Sequence, residues 1–293
     1  MRGMVLAAGF ATRMQPLSHV RPKALLPFFS FPLLQTVLHR LGSAVKGAVM
    51  VNLHHQAIEV EQFLRDYDAV VPVVEEKILG TGGGIANAVR CHPGAEPLLV
   101  HNVDILSDID LPLAVDRFQQ RSPYAMLLLH YHPDFLQVHV DGDTITGFGK
   151  GGSLAYTGIM MLSPEAQQEL AATDQFSIID FLMEAIAAGQ VVAGLEMKPR
   201  FWFDCGKASQ YLPAHRRYFQ DESFRKAVIS VLPELPRSVG DSFIGERVKI
   251  SQGVEICDTV IWDDVQVKSG PVQSAVLTDG VIVAQPVYQS MVI

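Results

Sequence analysis

From Met4 to Asn102 the chain alternates short apolar runs with segments whose apolar residues recur at helical spacing, and this alternation narrows the possible folds more than any other feature. Met4-Val-Leu-Ala-Ala8 is closed by Gly9, so it reads as a buried strand entering a loop. Residues 47–52, 70–74 and 97–101 read as further strands. Between them, Pro32 starts a helix with apolar positions Leu33, Leu34, Val37, Leu38 and Leu41. Ile58 to Leu64 lies in a second helix, and Gly80-Thr-Gly-Gly-Gly84 opens a third that runs through Val89. Strands and helices alternating at these lengths imply an α/β, doubly wound, mainly parallel sheet of Rossmann-like type, with right-handed crossovers.

The pattern changes after about residue 123. Residues 125–131, 136–140, 144–148 and 156–162 are close-set strands, with Asp141-Gly142-Asp143 as a hairpin signal, so the sheet becomes mixed. Two helices follow, then a strand at 191–195, and Trp202-Phe-Asp-Cys-Gly206 leads into a helix ending at Phe219. In the tail, Ile244, Ile250, Ile256 and Trp262 are six apart, as are Val248, Val254 and Val260. A six-residue beat fits the coils of a parallel β-helix, the alternative being irregular strands packed on the main domain. Gln266 and Lys268 interrupt the beat, and Val276, Leu277, Val281 and Val283 resume it out of phase. The expected organisation is a catalytic domain over residues 1–222, a linker over 223–234 and a short β-helix over 235–293.

Composition excludes several function classes. Hydrophobic residues make up 48% of the 293 and charged residues 18%, enough for a large core and against disorder. The net charge of −8 argues against nucleic acid or an anionic membrane as partner, so a phosphate site must be a local basic cluster. Cys91, Cys205 and Cys257 lack metal-ligand spacing and read as reduced thiols of a cytoplasmic protein. The N-terminus does not resemble a signal peptide, and no apolar run is long enough to span a bilayer.

A glycine-bearing loop after the first strand of such a sheet lies at its carboxyl edge, where α/β folds bind ligands and where backbone N–H groups can hold phosphate oxygens. Arg13 and Lys23 bring positive charge from the same excursion, although two solvated cations on a surface loop would look the same in sequence. A dinucleotide oxidoreductase would need Gly-x-Gly-x-x-Gly here, and Gly9-Phe-Ala-Thr-Arg-Met lacks it.

Leu6-Ala-Ala-Gly9, Thr12-Arg13-Met14, Pro16-Leu17 and Pro22-Lys23 together resemble the opening motif of the sugar-1-phosphate nucleotidylyltransferase family. Leu79-Gly-Thr81-Gly-Gly-Gly84, Asn102-x-Asp104, Tyr156-Thr-Gly158 and Trp202-x-Asp204-x-Gly206 follow in that family's order, over about residues 1–220. The tail resembles the left-handed β-helix that many members append. Among subfamilies the chain looks most like mannose-1-phosphate guanylyltransferases, with the uridylyltransferase acting on N-acetylmuramate 1-phosphate close behind.

The resemblance implies an enzyme that joins a nucleoside triphosphate to a sugar 1-phosphate and releases pyrophosphate. By position, Leu6, Ala8 and Gly9 would contact base and ribose, and Thr12, Gly80 and Thr81 would complete the nucleotide site. Arg13 would bind the β- and γ-phosphates and Lys23 the α-phosphate. Asp104 and Asp204 would share Mg²⁺. Asn102, Lys150, Thr157 and Gly158 would hold the sugar phosphate. Glu75 stands where some relatives carry a base-reading glutamine, and a carboxylate can accept from the N–H groups of guanine. These roles fit together physically, because two phosphate-bearing anions repel and their reaction needs cations on both.

Some positions depart from the family pattern. Ala11 and Val103 replace common glycines, Leu136-Gln-Val138 lacks a tyrosine–glycine pair, Gly149 stands for glutamate and Lys207 for threonine. These changes leave open a uridylyltransferase for an N-acetylated sugar 1-phosphate, or a non-catalytic binder of nucleotide sugars acting as a regulator. A β-helix acyltransferase-like protein is also conceivable, but the tail is short for one. His130 and His132 share a strand face and lack a third ligand for zinc. A small β-helix covers its own ends poorly, so association of copies through the tail is a further expectation.

Overall fold

The computed structural model describes residues 1–174 and 176–293, which form two compact units. The first unit comprises Met1–Phe10, Val37–Ile105 and Ile109–Trp202. Its centre is a nine-stranded sheet in the order Val70–Val74, Val49–Leu53, Arg2–Leu6, Leu98–Asn102, Ala155–Leu162, Ala125–His130, Val192–Glu196, Thr144–Phe148, Val138–Asp141. The first four strands are parallel. Ala155–Leu162 is antiparallel to both of its neighbours, Val192–Glu196 is parallel to Ala125–His130, and the Val138–Phe148 hairpin closes the edge. This is the mixed, doubly wound α/β sheet that the alternation implies.

Central strands of such a sheet are buried on both faces, so they read as unbroken apolar runs. Met4, Met50, Val100, Leu127, Leu129 and Met160 accordingly lie in one core with Ile85 and Val89 of the Gly80–Cys91 helix. The helix Leu111–Arg121 is not among the elements read from periodicity. It starts at Asp110, whose side chain accepts from Leu113 N. Ser163 and Ser177 cap the Pro164–Ala171 and Ile178–Ala187 helices in the same way.

The second unit comprises Ala11–Thr36, Leu106–Asp108 and Phe203–Ile293. Its N-terminal excursion holds two short 3-10 turns, Thr12–Met14 and Lys23–Leu25, and the helical turn Leu17–Val20. The helices Tyr211–Gln220 and Glu222–Ile229 follow, the second lying where the sequence suggested a linker. That helix forms because the Asp221 side chain accepts from Phe224 N, Lys226 pairs with Glu222 at 2.7 Å, and Phe224, Ala227 and Val228 are buried. Phe28, Phe29, Tyr211, His215, Tyr218 and Phe243 form an aromatic cluster beneath it.

The tail is a three-sided stack of short parallel strands. Phe243 pairs with Val260, seventeen residues on, and Val260 with Val276, sixteen on. Val272 pairs with Val287, only fifteen on. A six-residue beat over three sides needs coils of eighteen, so with seventeen or fewer the residue in register with Ile244 is Ile261 rather than Trp262, and the beat slips further in the shorter coils that follow. Ile261, Val265, Val267, Val272, Leu277 and Val283 fill the interior. No described helix is long and apolar enough to cross a membrane.

Candidate active site

In the first unit the expected nucleotide loop leaves the sheet after Leu6. Leu6 lies in register between Asn52 and Asn102 on the flanking parallel strands. The Asn52 side chain reaches the loop, its Oδ1 accepting from Ala7 N at 2.8 Å. Asn52 Nδ2 in turn donates to Glu75 Oε1 at 2.8 Å, and Glu75 Oε2 accepts from Leu79 N at 3.1 Å. Both residues are buried. The carboxylate expected to read a base is therefore a strut that orients Asn52 and holds the segment leading into the Gly80–Cys91 helix.

Two glycines are required by this packing. A Cβ on Gly84 would lie 2.7 Å from Asn52 Nδ2 and 2.9 Å from Glu75 Oε1. Gly80 has φ +72°, and a Cβ there would lie 2.4 Å from the Phe176 carbonyl oxygen. Gly9 is different. Its φ is not positive, and a Cβ on it would meet no described atom within 4 Å. The fold thus makes no demand for glycine at position 9, and the space above that backbone is open.

Thr81 Oγ1 accepts from Ile178 N at 3.1 Å, so this exposed residue also satisfies the first N–H of the Ile178–Ala187 helix. Asn102 ends its strand and lies close to Gly158, where a Cβ would come within 3.1 Å of Asn102 Nδ2. Asp104 is half-buried in the turn that follows. Val103, at the glycine position of the motif, is buried and its N–H donates to Leu6 O at 3.1 Å. It does not adopt the left-handed backbone that would favour glycine.

The expected sugar-phosphate residues divide. Thr157 is fully buried and its hydroxyl donates to Leu128 O at 2.8 Å, while its carbonyl accepts from Trp202 Nε1 at 2.9 Å. Its side chain faces the core, which leaves backbone contact as its route to a ligand. Lys150 is exposed on a turn whose Gly149 N–H donates to Gln137 O at 2.8 Å. The altered Leu136-Gln-Val138 stretch and the lysine-bearing turn therefore form one structure. His130, buried and pushed down to about 4 mainly by burial, packs against Trp202 with ring centres 4.8 Å apart. His132 and Phe135 complete that aromatic group.

The second unit carries Thr12, Arg13, Lys23 and Asp204. Thr12 and Arg13 are exposed in a turn entered through Ala11, which has φ 54° and so sits in the left-handed region despite carrying a Cβ. Met14 N and Ser18 Oγ donate to the Ala11 carbonyl, at 2.9 and 3.0 Å. Arg13 and Asp204 converge on Gly206, where a Cβ would lie 2.5 Å from Asp204 Oδ1 and 3.2 Å from Arg13 Nη2. The glycine of Trp-x-Asp-x-Gly thus makes room for a cation and a carboxylate side by side.

Sequence reasoning missed Asn52 and Arg21. An asparagine near the end of an apolar strand was a legible signal for the first. For Arg21, whose partners lie about 250 residues away in the tail, there was none.

The loop and sheet are those of a nucleoside triphosphate transferase domain, and a family model of the MobA-like NTP transferase domain matches residues 3–129. N-acetylmuramate alpha-1-phosphate uridylyltransferase of Caulobacter vibrioides is 31% identical over 73% of this chain and 95% of its own length. Mannose-1-phosphate guanylyltransferase 1 of Arabidopsis thaliana is 25% identical over 92% of this chain and 79% of its own length. A UDP-glucose pyrophosphorylase solved with UDP-glucose superposes with a TM-score of 0.63 at 18% identity, covering 75% of this chain and 98% of that one. The chain belongs to the sugar-1-phosphate nucleotidyltransferase family of enzymes.

Proposed function

We propose that this chain transfers a nucleotidyl group from a nucleoside triphosphate to a sugar 1-phosphate, with GTP and mannose 1-phosphate as the first substrate pair. The observation that carries the reaction class is the open backbone at Gly9, beside an Ala7 amide held in place by Asn52. A loop of that kind suits close approach of a nucleotide to the main chain. Arg13 and Lys23 then stabilise negative charge on the triphosphate as the sugar phosphate attacks the α-phosphorus and pyrophosphate leaves. The attacking group is already an anion, so no general base is required. Lys150 and Asn102 are proposed to hold the sugar phosphate, with Gly158 and the Thr157 backbone behind them.

Asp104 and Asp204 are proposed as ligands of Mg²⁺. Carboxylate oxygens are the hard donors this ion takes, and two of them leave its remaining positions to phosphate and water. No cluster of three or more His, Cys, Asp or Glu among the described residues could hold a metal. That donor set fits an ion that arrives with the triphosphate. When bound, Mg²⁺ would supply charge neutralisation and alignment of the phosphates.

For the base, the guanylyl reading is supported by the Arabidopsis relative, whose match extends over 92% of this chain. The second reading, a uridylyltransferase for an N-acetylated sugar 1-phosphate, is supported by the higher identity of the Caulobacter relative. Pyrophosphate release across a panel of triphosphates and sugar 1-phosphates decides between them. Turnover fastest with GTP and mannose 1-phosphate is expected. Preference for UTP with an N-acetylated sugar selects the second reading, and tight nucleotide-sugar binding without turnover refutes both. Association of copies through the tail is also proposed, and a monomeric mass by light scattering at micromolar concentration refutes it.

A further inference from the structure

Arg21 lies between Arg13 and Lys23 in sequence, yet its partners come from the C-terminal coils of the same unit. Its Nη2 donates to Asp263 Oδ2 and to Asp279 Oδ1, each at 2.6 Å, and its Nε donates to Asp279 Oδ2. The guanidinium also sits 5.4 Å from the centre of the Trp262 ring. Asp263 and Asp279 occupy matching corners of successive coils and are tied together, because Asp263 N donates to Asp279 Oδ1 at 3.1 Å. Gly280 N donates back to Asp263 O at 3.0 Å.

The other end of the lysine-bearing segment is fastened to the same wall. The Pro27 carbonyl accepts from the Tyr211 hydroxyl, and that hydroxyl accepts from Trp262 Nε1 at 3.0 Å. Trp262 and Tyr211 are both fully buried. Lys23, in its 3-10 turn, is thus strung between two fastenings that end on adjacent coil residues, Trp262 and Asp263. Upstream, Arg21 N donates to Leu17 O and Ser18 Oγ to Ala11 O, which joins the clamp to the turn bearing Arg13.

We infer that the β-helix tail positions the phosphate-handling segment, with Arg21 as the positioning residue and the Asp263–Asp279 pair as its clamp. The inference deepens the proposed reaction and rests on it for its kinetic signature. A planar, bidentate guanidinium–carboxylate fork fixes direction as well as distance, which a lysine cannot do. Small displacements of charged groups around a reacting phosphate are costly, since a shift near 1 Å can lower a rate by about a hundredfold.

The test uses the full-length chain with Asp263→Asn and Asp279→Asn combined, and separately Arg21→Gln and Arg21→Lys. The first readout is amide hydrogen exchange. Residues 11–26 should exchange at least about tenfold faster in the double variant and in Arg21→Gln, while strands Val260–Ile261 and Val276–Leu277 keep their protection. The second readout is kinetic, on the best substrate pair of the panel. The double variant should lose about tenfold or more in kcat and raise the KM for the triphosphate, with the KM for the sugar 1-phosphate held within about twofold. Arg21→Lys should fall between wild type and Arg21→Gln. Unchanged exchange in residues 11–26 overturns the clamp whether or not the enzyme turns over. Faster exchange throughout the coils, or a kcat loss with both KM values unchanged, shows a merely structural role and also overturns it. A wild-type chain with no turnover in the panel refutes the proposed reaction, and exchange alone then decides the clamp.

Discussion

Glu75→Gln is nearly isosteric, and the hydrogen bonds around it allow its effect to be worked out in advance. Glu75 accepts from Asn52 Nδ2 through one oxygen and from Leu79 N through the other. Glutamine offers only one oxygen, so its amide nitrogen must face one of these two donors. Turning the Asn52 amide over does not help, because Asn52 Oδ1 is the acceptor for Ala7 N. Every arrangement leaves two donors opposed in a buried site. An unsatisfied buried donor costs roughly 1–3 kcal/mol, and loss of a carboxylate acceptor puts this case toward the upper half. In thermal unfolding that corresponds to a fall of several degrees, at about 2–4 °C per kcal/mol for a unit of this size. The slackened Ala7 amide should lower kcat/KM for GTP and UTP by similar factors, so their ratio changes by less than about threefold. The assays are calorimetry and paired kinetics with the two triphosphates. Unchanged stability would refute the strut. A shift of base preference by about tenfold or more would show that Glu75 reads the base after all.

Asp104→Asn and Asp204→Asn should each lower kcat by about a hundredfold or more, a few kcal/mol of transition-state stabilisation, and the double variant should cost little more than either. Fully additive losses in steady-state kinetics would show separate roles, and a near-wild-type rate at saturating Mg²⁺ would place the metal elsewhere. His215 is buried, accepts from Phe29 N at 3.1 Å, donates to Tyr211 O at 2.8 Å and is pushed down to about 4 by burial. Its folded value lies below the unfolded one, so its contribution is fully present above pH 6.5 and is lost as pH falls toward 4. About 2 kcal/mol should be gone by pH 5, at 1.36 kcal/mol per unit. Urea midpoints at pH 7 and pH 5 should therefore diverge more in wild type than in His215→Gln, and equal divergence would rule out this origin.

What could be read from the sequence is what depends on near neighbours along the chain. The strand runs, the helical spacing of Leu33 to Leu41 and the six-residue beat of the tail are local periodicities, and each marks an element the structure contains. Gly80 and Gly84 were visible as a motif, but their packing against Phe176, Asn52 and Glu75 was not. The expected linker at 223–234 hid a helix because Phe224, Ala227 and Val228 gain their burial only once packed among distant parts of the chain. Glu75 gave the same sequence signal whether it faced a base or a neighbouring asparagine; its contact with Asn52 emerges only from the pairing of the two strands. Arg21, Asp263 and Asp279 carry no pattern at all. Charged residues at such separations become partners when coils of 15 to 17 residues stack and bring matching corners into line, and that register is a property of the packed chain rather than of any segment of it.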